Sequence, residues 1–225
     1  GTFINARTYL NHLPATYLRY YLGSKLSDNI ADLDLNLDDF VAKVNSDLIG
    51  KITNIASRGF QMLNKNFAGE LAKDLDSEAK ELIEIAQKSS ETIAEHFEKR
   101  QFAKALVCIR ELADQTNKYF DDNKPWKLIK EDRQKTQIIL TAILNIFRIL
   151  AIYLKPVIPS YSKKAAELFV EKDYLWADAQ KTLRAQKVAK FSRLLDRIEP
   201  KKIKKIIEES KTVMQETQTQ TQKTD

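Results

Sequence analysis

Glycine and proline are scarce, five of each in 225 residues. Sheets joined by tight turns draw on both, so an architecture of hairpins is disfavoured. A glycine-rich loop cradling phosphates is disfavoured for the same reason. The single cysteine, Cys108, excludes an internal disulfide and a thiolate cluster and fits a reducing, cytoplasmic compartment. It lies on an apolar helical stripe, which predicts a buried, inert thiol. The only histidines, His12 and His96, stand far apart. No Cys-X-X-Cys, His-Glu-X-X-His, Gly-X-Ser-X-Gly or phosphate-loop motif occurs. The carboxylate pairs Asp38/Asp39 and Asp121/Asp122 are sequence neighbours that point different ways, so they read as helix-end charges. Neither a catalytic nor a metal constellation is present to be named. No secretory or transit signal is visible. The longest apolar stretch, residues 138–154, contains Asn145 and Arg148 and is shorter than the roughly 20 residues of a spanning helix. It predicts a helix buried in a bundle, with no membrane partner. The sequence starts at Gly1 without an initiator methionine, which suggests a cut-out piece or a processed chain.

Lys, Glu, Leu, Ala and Ile are abundant and favour helices. In residues 36–67, Leu37, Val41, Val44, Leu48, Ile52, Ile55 and Leu63 recur at helical spacing, with Asn36 as N-cap. A further helix is expected after Asp76 and Ser77, to about Glu98, and others from about Gln101 to Phe120, over about 132–154, and over 161–170. The prolines at 125, 156 and 159 mark breaks. Residues 1–35 read as two short helices and an acidic connection. KKIKKIIEES reads as a short basic helix, and the low-complexity end as disordered. The fold class is all-α, a helical bundle with a small N-terminal appendage and a basic C-terminal tail.

The net charge of +6 is uneven. Residues 1–180 hold 25 basic and 25 acidic groups, whereas residues 181–205 hold 10 basic and 2 acidic. Such a segment is a footprint for a polyanion or merely a solvated helix face. On the long helix, Asn54, Arg58, Gln61 and Lys65 fall within one arc, with Asp47 and Lys51 beside it. An amide and a guanidinium one turn apart can read base edges and phosphates, although the polar face of any surface helix looks similar. Trp126 stands behind Pro125 in the polar stretch DDNKPWKLIKED. There it is either a cap over the bundle end or an aromatic platform for a base, and a half-buried ring can be both.

Three stretches carry a family resemblance: DLDLNLDDFVAKVNSDLIGKITNIASRGFQMLNKNF, KYFDDNKPWKL and IFRILAIYLKPVIP. In order and spacing they closely resemble bacterial methionyl-tRNA synthetase, over about residues 1–200. The resemblance implies a stem-contact segment (1–35), an anticodon-binding bundle of the class I synthetase type (36–175), a basic helical tail (176–210) and a disordered linker (211–225). It implies that Asn54 and Arg58, in the NIASR stretch, recognise a CAU anticodon, chiefly its first base, and that Pro125 and Trp126 supply the stacking surface. The implied partners are tRNA(Met), initiator tRNA and a catalytic domain of the same chain, with dimerisation only through a further C-terminal domain. The parent would be a methionine–tRNA ligase using ATP, with zinc in its catalytic part. This stretch would start just past the class I signature loop and hold no cofactor or catalytic residue of its own. Relatives often have His where Gln186 stands and Pro where Ala189 stands, which bears on how the tail docks. The rivals are the bundle of another class I synthetase and a helical protein-interaction scaffold without RNA.

Overall fold

Asn36 starts the longest helical rod as expected, its side chain accepting from the Asp39 N–H at 2.9 Å. The structure, a computed structural model, describes residues 4–29, 33 and 35–221. After α1 (Ala6–His12) and α2 (Ala15–Gly23), the rod comprises α3 (Leu37–Lys43), a π-helical stretch (Val44–Thr53) and α4 (Asn54–Phe67). The π-winding was not expected. Its wider turn changes the phase of the rod: Val44, Leu48 and Ile52 stay in the core, but Asp47 turns inward as well. Its carboxylate lies 3.3 Å from the Lys43 ammonium and 3.9 Å from the Arg110 guanidinium. Asp47 therefore does not flank the polar face of Asn54 and Arg58. The rod ends at Ala68, in the left-handed conformation at φ 51°.

α5 (Ser77–Lys88) is capped by Asp76, which accepts from the Ala79 N–H at 2.9 Å. The helix expected to reach Glu98 is interrupted at Ser89, whose hydroxyl donates back to the Ile85 carbonyl. α6 (Ser90–Glu98) follows. Serine hydroxyls compete for helical backbone groups, which explains the break at a Ser-Ser pair. Then come α7 (Phe102–Asn123), a single turn α8 (Pro125–Leu128) and α9 (Arg133–Tyr153), with Asp132 capping α9 through the Lys135 N–H. α10 (Pro159–Leu168) and a short 3-10 turn (Trp176–Gln180) complete the bundle. No β-strand occurs among the described residues; Glu70 and Lys187 form one isolated bridge.

α9 is central, with nearly every residue from Ile139 to Leu154 buried. Among the described residues it alone is long and apolar enough to cross a membrane, but 94% of that window is buried inside the bundle. α4 can approach it closely because position 59 is glycine: a Cβ there would lie 2.8 Å from Leu144 Cδ2. The two polar residues that break the apolar stretch are buried and paired. Arg148 donates to both Glu171 oxygens, at 2.5 and 2.7 Å, and to the carbonyls of Asp178 and Lys181. Asn145 donates to the Leu183 carbonyl and accepts from the Leu183 N–H.

That amide pairing recurs along the tail. Asn64 donates to the Ala189 carbonyl and accepts from Phe191 N–H, and Asn45 does the same with Ile198 alone. Tyr17 adds a fourth pairing, with Asp196. Residues 183–198 are thus an extended strap bound through its backbone. At both positions noted above the strap uses main-chain atoms: the Gln186 carbonyl accepts from Leu71 N–H, and the Ala189 N–H, which a proline would lack, donates to the Leu168 carbonyl.

α1 (Ala6–His12) and α2 (Ala15–Gly23) place Tyr9, Leu13, Tyr17, Tyr20 and Tyr21 in the same core as the bundle. The basic tail forms α11 (Pro200–Thr221), which packs on α1. His12 Nε2 lies 2.8 Å from Glu209, and the Asn5 N–H donates to Ser210 Oγ at 3.4 Å. The helix thus continues to Thr221, past the short basic helix expected before a disordered linker at 211–225. Ile203 and Ile206 anchor the first turns, and the segment beyond lacks glycine and proline, so helix propagates once nucleated. Residues 222–225 lie outside the described residues. Cys108 is half-buried rather than buried, and burial raises its thiol pKa, in keeping with low reactivity.

Candidate nucleic-acid interface

Arg58 and Trp126 come from elements 68 positions apart and meet on one rim. Asn54 and Arg58 lie one turn apart on α4, so both project from one face. Trp126 is brought there by a chain reversal. α7 ends at Lys124, left-handed at φ 46°, whose N–H donates to the Phe120 carbonyl at 3.1 Å. Pro125 then takes the first position of α8, where its fixed φ suits a helix start and its missing N–H costs nothing. Pro125 is buried, and the next residue is thrown back over Phe120.

The Trp126 indole is 42% exposed. Its ring centroid stands 5.6 Å from that of Phe120 at a 36° tilt. The Arg58 guanidinium carbon lies 4.1 Å from the Phe120 centroid and 5.6 Å from that of Trp126. One Arg58 nitrogen donates to Asp121 Oδ1 at 2.6 Å. Tyr119, next to Phe120 in sequence, is buried, and its hydroxyl lacks a partner among the described residues. Burial, reinforced by Glu78 and Asp76, pushes that phenol well above its usual pKa and keeps it neutral. An indole with an open face and a guanidinium with free donors offer stacking and directed hydrogen bonds side by side.

Asn54 opens onto the other flank. It lines a cleft of about 520 Å³ together with Thr53, Ser57, Phe191, Arg193 and Arg197, between α4 and the strap. Its side-chain amide makes no hydrogen bond among the described residues. Two residues joined to the site went unread in the sequence. Phe120 ends an apolar stripe and looks like core, and Asp121 looks like a helix-end charge. Only the packing of α7 against α4 shows either beside Arg58. No group of three or more metal-ligating side chains occurs among the described residues.

Comparison with known proteins bears on both halves of this rim. A family model described as the anticodon binding domain of methionyl tRNA ligase matches residues 71–217, which include Phe120, Pro125 and Trp126. A second, for class I tRNA synthetases of the methionine type, matches residues 1–60, which include Asn54 and Arg58. A curated methionine–tRNA ligase of Bdellovibrio bacteriovorus is 53% identical over 218 residues, covering 97% of this chain. The chain spans 32% of that relative's length. The fold is similar to that of Mycobacterium tuberculosis methionyl-tRNA synthetase in its free form, with TM-score 0.76, 22% identity, and 84% of this chain and 40% of the other covered. For the same enzyme with methionyl-adenylate the TM-score is 0.73, at 22% identity over 82% of this chain and 38% of the other.

Proposed function

The chain belongs to the methionyl-tRNA ligase family through its anticodon-binding domain, and from that premise we propose that it reads the CAU anticodon of tRNA(Met) and initiator tRNA. The observation that carries this reading is the solvent-open convergence of Arg58 and Trp126. In the proposed complex the first anticodon base, cytosine, leaves the loop and stacks on Trp126. Arg58 donates to its polar edge and the adjoining phosphate, and the unpartnered Asn54 amide donates to and accepts from the base edge. Pro125 touches no RNA; it sets the angle at which the indole is presented.

The longer protein proposed for this segment is a cytoplasmic ligase that joins methionine to tRNA using ATP. Its nucleotide site and zinc would lie in a catalytic part whose motifs are not among these 225 residues. Here the bundle and strap recognise RNA and do no chemistry.

Titration with minimal CAU and non-CAU stem-loops at fixed salt tests the reading. Trp126→Ala is expected to weaken CAU binding by about 1–3 kcal/mol, the loss of one base stack. Equal affinity of the unmutated chain for both loops would refute the assignment. Absence of Trp126 fluorescence quenching by tRNA would favour a protein-interaction scaffold.

A further inference from the structure

We infer that Phe120 is a positioning residue of this site: its buried ring is the common support that sets the Arg58 guanidinium and the Trp126 indole. The inference rests on the anticodon reading above and concerns a residue that cannot itself reach the RNA. Phe120 is 3% exposed, while Trp126 is 42% exposed.

Three features of the rim lead to it. The guanidinium carbon is nearer Phe120 (4.1 Å) than Trp126 (5.6 Å), so the principal cation–ring contact of Arg58 is made below the rim. The indole is thereby left free to face a base. Secondly, the other restraint on Arg58 is a single contact to Asp121, whose side chain is 56% exposed. A solvated ion pair of that kind holds a flexible arginine weakly and fixes neither the plane nor the direction of its remaining donors. Thirdly, α8 is only four residues long, too short to be rigid through its own hydrogen bonds. Packing of Trp126 on Phe120, together with Pro125, fixes the indole instead. One ring thus orders two ligand-facing groups before RNA arrives, which lowers the ordering cost of binding.

Phe120 also ends the apolar stripe of α7, and simple core filling would place a large side chain there equally well. The two roles separate with Phe120→Met, which keeps much of the volume and the apolar character but removes the flat π face. Phe120→Leu serves as the second variant if the first does not unfold cooperatively. The chain carrying either change is titrated with CAU and non-CAU stem-loops, alone and combined with Arg58→Ala.

The expected result is a CAU affinity reduced about five- to tenfold, a reduced CAU-to-non-CAU ratio, and a loss of only about twofold in the Arg58→Ala background. Unchanged CAU affinity, an unchanged ratio, or the same loss in both backgrounds would overturn the positioning role. Trp126→Ala is measured alongside. If Trp126→Ala weakens binding and Phe120→Met does not, the positioning role alone falls; if neither does, the anticodon reading falls with it.

Discussion

Asp76 shows how one side chain can serve two elements. Its Oδ1 caps α5 through the Ala79 N–H at 2.9 Å, and its Oδ2 accepts from Lys135 Nζ, on α9, at 2.6 Å. Burial raises the carboxyl pKa, but Lys135 and the capped N–H together outweigh it and hold the pKa below the usual value. A carboxyl with a depressed folded pKa stabilises fully above its unfolded pKa, about 4, and that contribution is lost as pH falls through the folded value. Asp76→Asn keeps a cap and loses the charge. The wild-type chain is therefore expected to have the higher urea midpoint at pH 7, with the difference shrinking below about pH 4. A pH-independent difference between the two midpoints would show that the ion pair contributes nothing. The helix start was legible from sequence, since Asp76 and Ser77 precede an amphipathic run. Lys135 was not, because only tertiary packing sets it across from Asp76.

Among the elements, the strap depends most on groups far away in sequence. Residues 183–198 have no regular structure to satisfy their backbone, and unpaired buried amides are costly. Asn145, Asn64, Asn45 and Tyr17 supply the partners from α9, α4, the π-helical stretch and α2. Removing one amide while leaving the main-chain groups buried costs about 1–3 kcal/mol. Asn64→Ala is expected to accelerate hydrogen exchange at Phe191 while leaving α9 amides protected. Unaltered protection at Phe191 would mean that the strap is held by its apolar contacts alone. Nothing in the sequence marks these asparagines: each sits at a position that reads as ordinary helix surface or, for Asn145, as an interruption of an apolar stripe.

For the whole molecule, the uneven charge matters more than its sum. The excess of +8 in residues 181–205 lies on the strap and the start of α11, and Arg193 and Arg197 line the cleft onto which Asn54 opens. Charges of this kind add a sequence-independent attraction to phosphate that weakens as salt rises. Stem-loop affinity is therefore expected to fall linearly in log–log form as salt increases, about equally for CAU and non-CAU loops. The discrimination between them, which we assign by proposal to Trp126, Arg58 and Asn54, should persist. A CAU-to-non-CAU ratio that vanishes with added salt would place recognition in the charge field instead of the rim.

The sequence by itself determined the all-helical class, the N-cap at Asn36 and the buried central helix. These are local properties, governed by residue period, caps and breakers within a few turns. Only the tertiary structure decided that the rod unwinds into a π-helix and buries Asp47, that the tail docks through its backbone, and that Phe120 lies under both Arg58 and Trp126. Each of those depends on which groups face one another across long stretches of chain, and a helical period carries no record of its neighbour.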